Sequence, residues 1–338
     1  MVSFLVALLL LSCHEKREER KVERSFYYWK SVLKLTDFEK QQMDNLHVKT
    51  IYLKFFDVDW DGPGSMPVPK AKLQAARDKL QGGIQVIPTV FISNECIQKI
   101  DTSQLQALAL NINKLINDIS ASNNFIPAAE IQIDCDWTAA TKEKYFTLLK
   151  HIKQQTSHLT ISATIRLHQV KFFGKTGVPP VDRGLLMCYN MGNLKNPGTK
   201  NSIIETEELK KYIGNLSTYP LPLDIGLPLF DWMVLYRNGM YSGLIENLPV
   251  TVFTGAVAVK KGNRLEMLKD TLLGGYDLKK GDVLRDEQSE YTEILAAAAA
   301  VNRQLKNTTL RVSLYHMDSV ILKKYTLHEL ETIYNSMR

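Results

Sequence analysis

The sequence predicts an α/β fold, a parallel (β/α)8 TIM barrel with an insertion between its seventh and eighth strands. Three observations carry that expectation. Eight short runs rich in β-branched and aromatic residues alternate with helix-like runs along the chain. The 338 residues exceed the commonest domain size but suit one barrel of roughly 250 residues plus insertions. Finally, the run IQIDCDWT, Ile131 to Thr138, ends a strand in two acids, and such barrels keep their chemistry at the C-terminal ends of the strands.

Taken in order, Phe26 to Lys30 (FYYWK) is the first strand, and Thr36 opens a helix with a capping box completed by Glu39. Val48 to Asp57 is the second strand, followed by the turn-rich DWDGPGSMPVP and a helix near Ala71 to Leu80. Ile84 to Ile92 is the third strand, and Leu105 to Ile119 is a helix with apolar residues at helical spacing. The acidic run is the fourth strand and leads into a helix over Lys142 to Gln155.

Leu159 to Arg166, Leu185 to Tyr189 and Leu221 to Leu229 are strands five to seven. Lys171 to Arg183 is too rich in Gly and Pro for a full fifth helix. Leu310 to Tyr315 is the eighth strand and Leu327 to Met337 a closing helix. Residues of about 240–305, including the strand-like LPVTVFTGAVAV and the helix Glu290 to Leu305, read as the insertion. No linker marks a second domain, so the barrel is expected to span 25–338.

Composition is that of an ordinary globular protein, with 45% hydrophobic residues and a net charge of +6. The charge alternates in sign, as in EKREERKVER at 15–24, which suits a solvated tether over 13–24 and argues against a nucleic-acid-binding arm. A short apolar run ends in Leu10, Leu11, Ser12 and Cys13, which resembles the lipobox of a bacterial lipoprotein signal peptide over 1–12. That resemblance implies a lipid on Cys13, a membrane as partner, and a place in the bacterial cell envelope, the outer membrane before the inner. No Lys or Arg precedes the apolar run, a departure from the usual signal. Cys96, Cys135 and Cys188 form neither a disulfide framework nor a zinc motif. GxGxxG, P-loop and GxSxG patterns are absent, so no cofactor is expected.

In an extended strand, Gln132, Asp134 and Asp136 share one face. Two neighbouring carboxylates covered on both sides resist double ionisation, so one should hold a raised pKa. Arg166 and His168 end the fifth strand, where Arg can grip a carboxylate or a hydroxyl. Asp57, Asp59, Trp60 and Asp61 form a loop suited to a sugar platform, or simply an Asx-rich turn; their alternating acids lack the later Glu of a calcium loop, and no metal is expected. Asp231 and Trp232 follow the seventh strand, and His316 and Asp318 follow the eighth, all on the same rim.

At IDCDWT the chain resembles the family 18 glycoside hydrolases, the chitinase-like barrels, whose fourth strand ends in DxDxE; here Thr138 stands in place of the glutamate. Met187, Tyr189 and Asn190 in LLMCYNMG resemble that family's M-x-Y-D pattern, with Asn190 in place of Asp, and Gly226 to Leu229 resembles its GxP segment. The resemblance implies a glycan, such as one containing N-acetylglucosamine, as partner. It implies that Asp136 orients the substrate's acetamido group, that Asp134 tunes Asp136, and that Tyr189 bonds the acetamido oxygen.

The missing glutamate would have protonated the leaving oxygen, which a threonine hydroxyl is too weak an acid to do. Thr138 has a structural role open to it as a helix N-cap. Three readings follow. One is a hydrolase whose acid comes from elsewhere on the rim, any of Asp231, Trp232, His316 and Asp318, or from Glu205 or Glu246 reaching in from loops. Another is an inactive glycan binder using Trp60, Trp137 or Trp232. The third is a structural envelope lipoprotein that binds a protein partner.

Overall fold

The computed structural model describes residues 20–74, 80, 83–126, 128–246 and 248–338. Eight parallel strands close on themselves: β1 (Lys21–Tyr28), β2 (Thr50–Asp61), β3 (Gln85–Ile92), β4 (Glu130–Asp134), β5 (Thr160–Arg166), β6 (Arg183–Met187), β7 (Leu223–Pro228) and β8 (Thr309–Tyr315). β1 pairs with both β2 and β8, which shuts the barrel. Helices lie between the strands, as expected of the (β/α)8 class.

Local chemistry accounts for the helix starts. Thr36 and Glu39 make the expected capping box, and Thr326 with Glu329 makes a second at the closing helix Leu327–Asn335. The helix Leu105–Ser122 turns Leu105, Leu108, Ala109, Ile112, Ile116 and Ile119 onto the sheet, the stripe its periodicity predicts. Between β5 and β6 the Gly- and Pro-rich stretch supports only the short helices Leu167–Lys171 and Phe173–Thr176.

Several boundaries differ from the sequence reading. β1 begins at Lys21, so residues 21–24 belong to the barrel and not to a tether; alternation of Glu23, Ser25 and Tyr27 continues a strand that the charge pattern masked. Residues 1–19, with the expected signal peptide and Cys13, lie outside the described residues, as does most of the helix expected near Ala71 to Leu80. β2 runs on through Asp61 and folds back as an antiparallel hairpin onto Met66–Lys70, so Asp57, Asp59 and Trp60 sit on a strand and not in a loop.

The insertion is also placed differently. It opens at Asp231 and ends at Gln288, as a five-stranded antiparallel sheet plus a small two-stranded one, with its own core around Met233, Ile245, Leu265 and Leu284. The segment LPVTVFTGAVAV is a 3-10 turn at Val250–Val252 followed by a strand starting only at Ala258. The helix Tyr291–Asn302 belongs to the barrel's outer layer, because its Ile294, Ala297, Ala298 and Val301 pack into the main core.

The barrel interior is unusually polar. At the N-terminal end of the strands Arg311 is the hub: Nε donates to Glu23 at 2.9 Å, and Nη1 donates to Glu130 and to the Tyr52 hydroxyl, each at 2.8 Å. Ser162 donates to the other oxygen of Glu130. Asp224 accepts from the Arg311 backbone N–H at 2.8 Å and pairs with Arg183. Burial outweighs those cations and pushes the Asp224 carboxyl up to about 6.

Candidate functional site

Moving up the inner face, aromatic rings and acids replace the ionic network. Tyr27 stacks on Tyr52 at 4.8 Å, and its hydroxyl donates to Gln132 Oε1. Tyr315 ends β8 and gathers Tyr27, Tyr189 and Phe230 at ring separations of 5.7, 5.3 and 5.6 Å. Together these rings pack against one another inside the barrel.

Asp134 is the last residue of β4 and is buried; the Thr164 hydroxyl donates to it at 2.5 Å. Burial pushes its carboxyl up, Arg166 opposes, and Asp136 adds to the rise. The raised acid expected of the pair is therefore Asp134. Asp136 lies two residues past the strand and not within it, because the backbone leaves the sheet at Cys135; its side chain is half exposed and is ion-paired to Arg166 Nε.

Arg166 ends β5 and stays charged, since the attraction of Asp134 and Asp136 outweighs the cost of burial. Its Nη1 and Nη2 make no hydrogen bond among the described residues.

A cleft of about 320 Å³ opens here, lined by Asp136, Arg166, Leu167, His168, Tyr189, Asn190, Met191 and Tyr212. Tyr189 is buried, and its hydroxyl has no partner among the described residues. Asn190 follows with a left-handed backbone, φ of 55°, which Asn tolerates and which turns the chain out along the cleft wall. His168 is exposed, with burial of its ring lowering its pKa against the pull of Asp136.

Two further buried atoms lack partners nearby. Gln132 Nε2 sits one layer below the mouth, and Asp57 Oδ1 belongs to a carboxylate whose other oxygen binds Lys54 at 2.8 Å and whose charge reaches Asp134. Buried polar atoms without partners are scarce in folded proteins; these lie near the mouth, while others, Arg183 Nε and Asp224 Oδ2 among them, lie at the opposite end of the barrel.

Several expected site residues are employed elsewhere. Trp137 is fully buried, stacks on Tyr145 at 5.2 Å and donates to the Thr176 carbonyl at 3.0 Å, so no sugar can reach it. Thr138 is exposed in the turn before Lys142–Gln155, where its carbonyl accepts from Thr141 and Lys142; the N-cap is Thr141, three residues later than expected. Asp231 is paired with Lys324, and Trp232 donates to Glu287 at 2.7 Å with its ring edge-on to Phe230.

Asp318 caps the short helix Ser319–Leu322 and pairs with Lys30. His316 is part-buried, with Nδ1 unpartnered. Neither lines the cleft. Asp59 accepts from Ser93 and Lys70, and Asp61 accepts from the Gly64 N–H, so these acids close the hairpin that carries Trp60. Glu205 stands at the start of the helix Thr206–Lys210. Glu246, exposed on the insertion, makes no ion pair among the described residues, and its charge reaches Tyr315. Among the described residues no group of three His, Cys, Asp or Glu side chains is placed to hold a metal.

With this geometry in hand, the likeness to known proteins is one of architecture. No protein-family model matches the chain, and no curated protein matches it by sequence. Solved structures do. The chain shares its fold with chitinase-like barrels. The spore cortex-lytic enzyme SleL of Bacillus megaterium QM B1551 matches with a TM-score of 0.54 at 14% identity, over 95% of this chain and 75% of that one. A chitinase from Bacteroides thetaiotaomicron matches at 0.53 and 10%, over 94% and 96% of the two chains. The Ostrinia furnacalis Group II chitinase catalytic domain 2, as an E2180L mutant in complex with penta-N-acetylchitooctaose, matches at 0.51 and 11%, over 94% and 96%.

Of the residues the sequence singled out, Asp136, Arg166, His168, Tyr189 and Asn190 line this cleft, with Asp134 buried beside it. Sequence reading missed Leu167, Met191 and Tyr212 of the cleft wall and the inward rings of Tyr27 and Tyr315. The last two were accessible in principle, since each shares a strand face with a polar inward residue, Ser25 and Ser313 respectively.

Proposed function

We propose that this protein binds a glycan, one bearing an N-acetylated sugar, in the mouth of its barrel and does not hydrolyse it. The observation that carries the reading is the pairing of a cleft of about 320 Å³ with polar groups left unsatisfied beside it, Tyr189 OH foremost. A sugar's hydroxyl and acetamido groups supply both donors and acceptors for such atoms, and the Tyr212 ring in the cleft wall suits its apolar faces. That the chitinase-like barrels sharing this fold include one in complex with an N-acetylated oligosaccharide supports the choice of sugar. A polar cleft also counts against a purely structural barrel.

Turnover is not expected, because the proton donor has no place. Thr138 is turned into its own loop, Asp136 is held by Arg166, and the rim acids Asp231 and Asp318 are held by Lys324 and Lys30. A second reading, hydrolysis with Glu246 as the acid, is favoured by the reach of its charge to Tyr315 and by its freedom from ion pairing among the described residues. We further propose that the chain is anchored by lipid on Cys13 in a bacterial cell envelope, the outer membrane before the inner.

The test is to incubate wild type, Asp136→Asn and Glu246→Gln with N-acetylglucosamine oligomers and follow binding and products. Binding by wild type with no product from any form is expected. Product from wild type that Glu246→Gln abolishes would establish the hydrolase instead. Anchoring is checked by radiolabelled palmitate, which should label the wild type and not Cys13→Ser.

A further inference from the structure

This inference rests on the glycan reading and names the kind of glycan. Arg166 is asymmetric in its use. Its Nε edge is taken by Asp136, while Nη1 and Nη2 make no hydrogen bond among the described residues, and Arg166 lines the cleft. A guanidinium end of that kind matches a second carboxylate with two parallel N–H···O bonds, a geometry a lysine cannot offer.

The groups around it add donors. The Tyr189 hydroxyl is buried without a partner and feels the charge of Arg166, and the amide of Asn190 and the imidazole of His168 line the same wall. Opposing charge is limited. Asp136 is ion-paired to Arg166, and burial raises the Asp134 carboxyl against the pull of Arg166. A neutral sugar can offer Nη1 and Nη2 only uncharged acceptors, whose bonds are weaker than those of a carboxylate.

We propose that Arg166 selects an acidic glycan, in which a carboxylate neighbours the N-acetylated sugar and docks on Nη1 and Nη2 while Asp136 holds Nε. Two sources carry that chemistry, a uronic acid with the carboxylate on the ring and an N-acetylated sugar with the carboxylate on a lactyl ether. Leu167, Met191 and Tyr212 form the apolar wall against which the sugar body packs.

Isothermal titration tests this with four tetrasaccharides: neutral N-acetylglucosamine, alternating N-acetylglucosamine and glucuronate, alternating N-acetylglucosamine and N-acetylmuramic acid, and the methyl ester of the tighter acidic one. Wild type should bind at least one acidic ligand about tenfold or more tightly than the neutral one, as a charge-assisted bidentate contact implies. The methyl ester should lose that advantage, and so should Arg166→Gln and Arg166→Lys. The ester needs no variant, so a misfolded mutant leaves the test intact.

Equal affinity of wild type for neutral and acidic ligands would overturn this inference and leave the glycan reading standing. Affinity for none of the four would overturn both. An acidic preference that survives esterification would place its origin away from Arg166 and also overturn the inference.

Discussion

The two ends of the barrel are built from the same residue types and treat them oppositely. At the N-terminal end Arg311 is bonded to Glu23, Glu130 and Tyr52, and Glu130 has both oxygens occupied. At the C-terminal mouth Arg166 bonds through Nε alone among the described residues, and Tyr189, Gln132 and Asp57 each keep a buried atom unpartnered, as Arg183 and Asp224 do at the other end. Charges locked to one another brace the strands. We read the difference between Arg311 and Arg166 as stability below and binding above, the division of labour general to such barrels.

The largest expected effect breaks the lower end. Arg311→Met strands Glu130 without its counter-charge and should cost about 3–5 kcal/mol of stability in denaturant unfolding. A loss as small as that of an exposed charge would show the network is ornamental. Next, Trp137→Phe should lower stability by about 1–3 kcal/mol, through lost packing on Tyr145 and the lost bond to Thr176, and leave glycan affinity alone. A fall in affinity with stability unchanged would return Trp137 to the site.

The upper end should respond inversely. Tyr189→Phe removes a hydroxyl that has no partner, so stability should hold within about 1 kcal/mol or rise, while affinity for an N-acetylglucosamine tetramer falls about tenfold. Equal loss of both would make Tyr189 a brace.

The smallest effect lies in pH. Asp224 titrates near 6 in the folded chain against about 3.9 unfolded, so the folded state holds its proton more tightly. Its contribution is full below about pH 4 and is lost as pH rises through about 6. The thermal penalty of Asp224→Asn should therefore be larger at pH 5 than at pH 7. A penalty that grows towards pH 7 would mean the ion pair with Arg183 outweighs burial.

The barrel was legible because a strand's hydrophobic run and a helix's periodicity are local signals, and all eight strands announced themselves. The insertion's limits were not, since Asp231 and Trp232 continue a strand pattern without a break, and Ala-rich Tyr291–Asn302 reads alike in an insertion or an outer layer. Site residues at strand ends were legible from position. Whether each faced ligand or core was not. Trp137 sits beside Asp136 in sequence and points the opposite way, and only tertiary packing shows that Lys324 and Lys30 consume Asp231 and Asp318.

The central claim, a mouth that holds a glycan and leaves it intact, meets its most direct test in isothermal titration of an N-acetylglucosamine tetramer into the wild-type protein, repeated on the same sample after prolonged incubation. A saturable one-site heat that is unchanged on repetition, with the tetramer recovered whole, is the predicted result. Absence of heat, or a tetramer shortened between the two titrations, would contradict it.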